Sequence, residues 1–175
     1  MLRDADTTDL DAIRRWRNDE RVRAVSLTAH EIGPDEHLRW WRRASTDPTR
    51  RVLVYERDGV PSGVVNFFDL DPAARTVAWG FFLDLAGLDE RAETLPAWLE
   101  IQREALDFAF DVLGVDVLTG EVLEHNTIVR RMNRRFGFTE GEPAVHTAGD
   151  RVVRVYPIRL HRDDRRTRTT EESTA

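Results

Sequence analysis

Two runs of this chain hold side chains that can move protons and grip ligands: Glu121-Val-Leu-Glu-His-Asn126 and Arg130-Arg-Met-Asn-Arg-Arg-Phe-Gly-Phe138. Glu121 can accept a proton or activate a water, and His125 carries an imidazole, a side-chain type suited to general-base work at neutral pH. Asn126 and Asn133 offer amides that both donate and accept hydrogen bonds but release no proton near neutrality. Arg130 and Arg131 are cations able to pair with an anion. Each also has a plainer reading. Glu121 suits a solvent-facing strand position, His125 an exposed turn, and Asn126 a helix N-cap.

A second group lies nearer the N-terminus. Trp16-Arg17-Asn18 combines a stacking face, a cation and an amide, a set suited to phosphate or hydroxyl groups. His30, Glu31 and His37 lie between or on the two N-terminal helices, and His37, Trp40 and Trp41 together can hold a sugar or a nucleobase by stacking. Asn66 and Trp79 fall on neighbouring predicted strands, and the sequence leaves open which face each takes. The plainer reading makes Trp16 and one of the tryptophan pair simple packing residues. The five His are scattered without recurring ligand spacing, so no metal is expected.

The spacing predicts the elements that must carry these groups. Leu10, Ile13 and Trp16 mark a helix over 10–17, and Pro34 opens another over 34–43. Strands follow at 51–56, 61–70 and 76–83, with Asp58-Gly59 as a hairpin signal, and read as an antiparallel meander. Residues 84–94 look irregular and acidic. Ile101, Ala105, Phe108, Ala109 and Val112 form the stripe of a helix over 98–113, stopped by Gly114. A strand at 115–123, a helix at 127–136 stopped by Gly137, and a strand at 152–160 complete the order. A helix between the third and fourth of these strands lets them run parallel. The fold class is therefore α+β, a mixed and mostly antiparallel sheet flanked by helices. Residues 1–160 read as one domain, and the polar stretch 161–175 as a disordered tail.

Composition narrows the function classes. With 41% hydrophobic and 33% charged residues the chain suits a soluble domain. No apolar run approaches a bilayer span, and the first residues lack a signal peptide's apolar core. A cytoplasmic setting without membrane association follows as the expectation. There is no Cys, which excludes disulfides, thiolate metal sites and a Cys nucleophile. A net charge of −6 argues against general nucleic-acid binding.

The spacing Asn126, Val129, Met132, Asn133, Gly137, Phe138 resembles the C-terminal motif of GNAT-type acyl-coenzyme A N-acyltransferases, and the element order over residues 2–160 is similar to that fold. Trp16-Arg-Asn-Asp19, His37 to Trp41, Gly63 to Phe67 and Trp79-Gly-Phe81 look like the branch acting on nucleotide-linked amino sugars and on ribosomal proteins. The resemblance implies a V-shaped gap between the strands near 76–83 and 115–123. Pantetheine would add there like a strand, near Phe82, Leu83 and Asp84, with Asn126, Arg130 and Arg131 also contacting coenzyme A. It implies an acyl donor, acetyl-coenzyme A or another acyl-coenzyme A, and a small-molecule primary amine as acceptor. Glu121, His125 and Asn133 are the catalytic candidates. Trp16, Arg17, Asn18, His30, His37, Trp41, Asn66 and Trp79 are the substrate-binding ones.

The chain departs from the motif twice. Glu93-Thr-Leu-Pro-Ala-Trp98 stands where the family carries a Gly-containing turn that approaches the pyrophosphate, and Asn133 stands at the position of a Tyr general acid. An acyl carrier protein as donor, or a non-catalytic GNAT-like binding module, are the alternatives these departures open. A homodimer stays open as well.

Overall fold

The computed structural model describes residues 1–148 and 151–165. The chain starts with a short strand β1 (Leu2–Asp4) and a 3-10 turn (Thr7–Asp9) capped by Asp6. Helices α1 (Leu10–Arg17), α2 (Glu20–Ala24) and α3 (Pro34–Ala44) follow. Strands β2 (Arg51–Arg57), β3 (Val60–Asp71) and β4 (Thr76–Leu83) form the meander. Next come α4 (Leu85–Glu90), α5 (Thr94–Asp107), β5 (Val117–Leu123) and α6 (Thr127–Arg135). Strands β6 (Thr139–Glu140), β7 (Ala144–Ala148) and β8 (Arg151–His161) close the fold.

The sheet order is β1-β2-β3-β4-β5-β8-β6, with β7 also paired to β8. All pairs run antiparallel except β4 with β5. The β2–β3 hairpin turns through Asp58 and Gly59, both at positive φ (51° and 77°), the conformation that matches the strands' twist and favours this dipeptide.

Side chains alternate across each strand, so the near-continuous apolar runs of β2 to β4 feed two cores. Leu53, Tyr55, Val65, Phe67 and Val77 join Ile101, Ala105 and Ala109 on the α5 side. Val52, Val54 and Val64 join Ile13 and Trp16 on the α1 side. The α5 helix widens after Asp107, where the Leu113 N–H reaches the Phe108 carbonyl at 2.9 Å, an i→i+5 bond of π type.

Several elements differ from expectation. The stretch 84–94 is not irregular throughout: Asp84 caps α4, and α5 starts at Thr94, four residues early, with Pro96 accommodated in its first turn. The C-terminal segment also stays on the body longer than expected. β8 runs through His161, Arg162 bonds the Phe110 and Val115 carbonyls, and Arg165 pairs with Asp107 and Asp111. The rest of the expected tail, 166–175, lies outside the described residues. Among the described residues no helix is long and apolar enough to cross a membrane.

Candidate active site

The site begins where two strands stop pairing. β4 and β5 are bonded only through Thr76, Val77 and Ala78 against Val117, Leu118 and Thr119, and beyond that they splay. The Asp84 N–H donates to the Ser62 carbonyl at 2.9 Å, on the β3 side. Backbone groups alternate in direction along a strand, so Gly80 and Phe82 also face β3, while those of Phe81 and Leu83 face the gap. These N–H and C=O groups have no strand partner and are the ones a ligand can satisfy.

The gap opens into a cleft of about 1330 Å³ that passes through the sheet. Trp79, Phe81 and Leu83 line it from the α5 side, and Ala78, Gly80 and Phe82 from the α1 side. α2 roofs the opening, tied at both edges. Arg21 pairs with Asp89 of α4 at 2.5 Å, and His125, after β5, contacts the Ala24 carbonyl at 2.9 Å. Because a carbonyl only accepts, that contact makes His125 Nε2 the protonated nitrogen. His125 is exposed and lies outside the cleft lining.

On the α5 side, Asn126 caps α6 by accepting from the Val129 N–H at 3.3 Å, and it also lines the cleft. Both readings of this residue are thus geometrically compatible. Asn133 is 2% exposed, reaches the cleft wall, and accepts from Gln102 Nε2 at 3.0 Å. Gln102 Oε1 is buried without a partner. Trp79 is a core residue, stacked on Phe81 and Phe138 with ring centroids 5.4 and 5.9 Å away. Arg130 is spent within the protein: it grips Glu140 through two bonds of 2.8 and 2.9 Å and lies 3.6 Å over the Tyr156 ring. That pairing raises the Arg130 pKa and lowers that of Glu140. Arg131 points from the exposed face of α6.

On the α1 side, Glu121 and Thr119 alternate with the core residues of β5 and line the cleft. His146 of β7 sits 3.3 Å from the Glu121 carboxylate. Asn66 lines the same side and accepts from Arg50 at 3.3 Å, so Asn66 and Trp79 take opposite faces of the sheet. Arg17 also reaches the cleft. Its neighbours do other work. Trp16 is buried under α1, and Asn18 clamps Ile32 through both its N–H and carbonyl at 2.8 and 2.9 Å. His30 pairs with Glu36 on the surface. His37 is buried against Trp40, its pKa lowered by desolvation and then by Arg14. Trp41 packs beside the α1-side core. None of these five lines the cleft.

The N-terminus of α5 is the turn at which the resemblance expects a donor's phosphates. The first turn offers the N–H groups of Thr94 and Leu95, and Pro96 has none. Glu93 stands at the cap and Asp89 bonds the Thr94 hydroxyl. Arg91 and Arg57 hold the Glu93 carboxyl below its usual range, and Thr94 and Arg21 do so for Asp89. The unpaired strand edge therefore fits a pantetheine arm, while this acidic turn does not fit a pyrophosphate in the way a Gly-containing turn would.

Sequence reasoning missed the α2 segment and the loop after it, from Arg21 to Thr28, and also Phe81, Trp98 and β7 with His146. An N-cap signal for α2 exists in Asp19, whose side chain accepts from the Arg21 N–H. For His146 no local signal exists, because its link to Glu121 arises only from strand pairing through β8.

The comparisons with known proteins agree with this geometry. No curated protein matches the sequence. A spermidine N-acetyltransferase from Vibrio cholerae, solved with CoA and spermine, superposes with a TM-score of 0.75 at 20% identity, covering 94% of this chain and 96% of that one. A putative phosphinothricin N-acetyltransferase superposes at 0.73 with 21% identity, covering 92% and 97%. An N-acetyltransferase from Staphylococcus aureus Mu50 gives 0.71 at 18%, covering 92% and 97%. At these identities the structures speak for the fold, and the sequence itself speaks for the family: the acetyltransferase (GNAT) domain matches residues 1–139, from β1 to the start of β6, so the chain whose strands part around this cleft belongs to the GNAT acetyltransferase family.

Proposed function

We propose that this N-acyltransferase moves an acyl group, acetyl in the first instance, from a coenzyme A thioester to the primary amine of a small metabolite. The observation that carries this is the strand gap itself, with the Phe81 and Leu83 backbone groups unpaired in a cleft that opens on both sheet faces. When bound, the donor supplies a thioester carbonyl, and the net change forms a C–N bond and breaks a C–S bond. The Phe81 amide and carbonyl and the Leu83 carbonyl hold the pantetheine arm as an added strand. The Leu83 N–H can donate to the carbonyl oxygen as charge develops there. Glu121 takes the proton released by the amine, directly or through a water, and His146 orients its carboxylate. Asn133 can hydrogen-bond the sulfur, and solvent returns the proton to the thiolate, whose conjugate thiol has a pKa of about 8.5. A nucleotide-linked amino sugar is the favoured acceptor, supported by the N-terminal resemblance and by Arg17 and Asn66 on the acceptor side.

One observation favours a second reading of the donor. The acidic, Pro-containing turn at α5 makes a carrier protein's phosphopantetheine, which has no adenosine 3′-phosphate, an alternative thioester source. Calorimetric titration with acetyl-coenzyme A and with S-acetylpantetheine separates the two, followed by acetyl transfer to an amino-sugar nucleotide, a polyamine and an amino acid. Micromolar acetyl-coenzyme A binding and turnover of an amine are the expected result. Binding of neither thioester, or binding without transfer to any amine, would overturn the reading.

A further inference from the structure

We propose that the acceptor carries an oxyanion group, phosphate or carboxylate, and that Arg17 binds it on the α1 side of the cleft with Arg23 adding charge behind. This rests on the amine acyl-transfer reading and specifies its acceptor.

Arg3, Arg21, Arg57 and Arg130 are each matched to a carboxylate. Arg17 and Arg23 are not matched to any among the described residues. Arg17 gives one N–H to the Thr28 carbonyl at 2.9 Å, and its Nη1 is buried without an acceptor. Arg23 reaches the Ala29 carbonyl at 3.4 Å, and its Nε is buried without an acceptor. Burial lowers the Arg17 pKa, and the neighbouring Arg23 charge lowers it further. Two like charges with unmet donors, partly withdrawn from water, destabilise the empty protein unless an anion joins them. A guanidinium matches a planar or tetrahedral oxyanion through paired N–H groups.

Position supplies the rest. Arg17 lines the cleft together with Ser26 and Thr28, while Glu121 lines it from β5. Arg17 thus stands across the cleft from the Glu121 carboxylate, with Arg159 of β8 lining the same face as Glu121. An acceptor with an amine at one end and an oxyanion at the other is complementary to Glu121 and Arg17. A polyamine would bring only cations and would meet Arg17 with repulsion.

The test is calorimetric titration of the full chain with inorganic pyrophosphate and, separately, with succinate, each with and without saturating desulfo-coenzyme A. One of the two anions is expected to bind one-to-one under both conditions, and its identity tells phosphate from carboxylate recognition. R17Q should weaken that binding at least tenfold and R23Q several-fold, while R39Q, on the exposed face of α3, leaves it unchanged. If R17Q fails to fold, R17K and R23Q provide the same reading. Absence of anion binding in the wild type, equal binding in the folded Arg17 variants, or displacement of the anion by desulfo-coenzyme A would overturn the proposal. Failure of desulfo-coenzyme A itself to bind would sink the donor assignment and leave the anion titration standing.

Discussion

The contact between Gln102 of α5 and Asn133 of α6 allows the structural and chemical roles of Asn133 to be separated. Both residues are buried, at 0% and 2% exposure, and their one bond is 3.0 Å long. N133A removes the acceptor of Gln102 Nε2, and Gln102 Oε1 is already without a partner, so the whole Gln102 amide is stranded. Leaving a buried polar group unsatisfied costs about 1–3 kcal/mol. For a chain of this size each kcal/mol shifts Tm by roughly 2–4 °C, so N133A should lower Tm by roughly 2–12 °C. Q102L/N133L replaces both amides by apolar groups of similar size and should recover most of that loss, since removing both partners together can be nearly neutral. Stability is read by thermal and urea denaturation, and rate by thiol release at saturating donor. If Asn133 hydrogen-bonds the reacting thioester, N133A and the stable double variant should both be slow. A double variant as fast as wild type would remove Asn133 from the chemistry. A double variant no more stable than N133A would refute the energetic reasoning itself.

Three further outcomes are expected. E121Q should lower kcat by roughly 10²–10⁴-fold with little change in donor affinity, the range for a general base, and H146A should give a smaller loss of kcat; full activity in E121Q would remove it as the base. R130A should destabilise the fold, because Glu140 and the Tyr156 ring lose their partner, without weakening coenzyme A, whereas R131A should weaken coenzyme A but not S-acetylpantetheine; isothermal titration and urea denaturation decide both. The folded pKa of His37 is depressed, so the unfolded chain binds the extra proton and stability rises with pH, falling as pH drops through the unfolded value of about 6.5. The urea midpoint should therefore decline between pH 7.5 and 5.5 in the wild type and less so in H37F, and parallel declines would reject His37 as the source.

What was legible in the sequence was what local physics decides. The meander, the α5 stripe from Ile101 to Ala109 and the Asn126 cap each follow from period, turn residues and side-chain hydrogen bonding within a few positions, whereas Val112, expected on the same stripe, is exposed where the helix widens. The misses share a cause too. β1, β6 and β7 are short strands whose existence depends on partners far along the chain: Leu2 pairs with Tyr55, and His146 with Val153. The acceptor residues went astray for a related reason. A Trp at a helix end can pack or stack, and only tertiary context decides: Trp16 went under α1 into the core, and His37 was drawn in beside Trp40. Arg17, one residue further round the helix, was carried to the cleft instead. Charge type was readable from the sequence, but whether an arginine already has a carboxylate was not, and that separates Arg130 from Arg17.

The passage of the cleft through the sheet has a mechanistic consequence. A strand's side chains alternate between faces while its backbone groups lie in the plane of the sheet. A thioester arm bonded to Phe81 and Leu83 therefore lies in that plane, with Gly120 and Val122 on one side and Glu121 on the other. Gly120 is where the strands part, and a Cβ there would stand 3.2 Å from the Trp79 carbonyl and 3.4 Å from Ile158. A larger residue at 120 would narrow the gap between the strands while leaving the Glu121 and Arg17 side chains, on the other side of the sheet, untouched. G120V should accordingly raise the donor KM strongly and leave anion binding at Arg17 as it is. Equal loss of both would mean that the two sides of the sheet are not separate entrances, and the two-sided geometry would have to be abandoned.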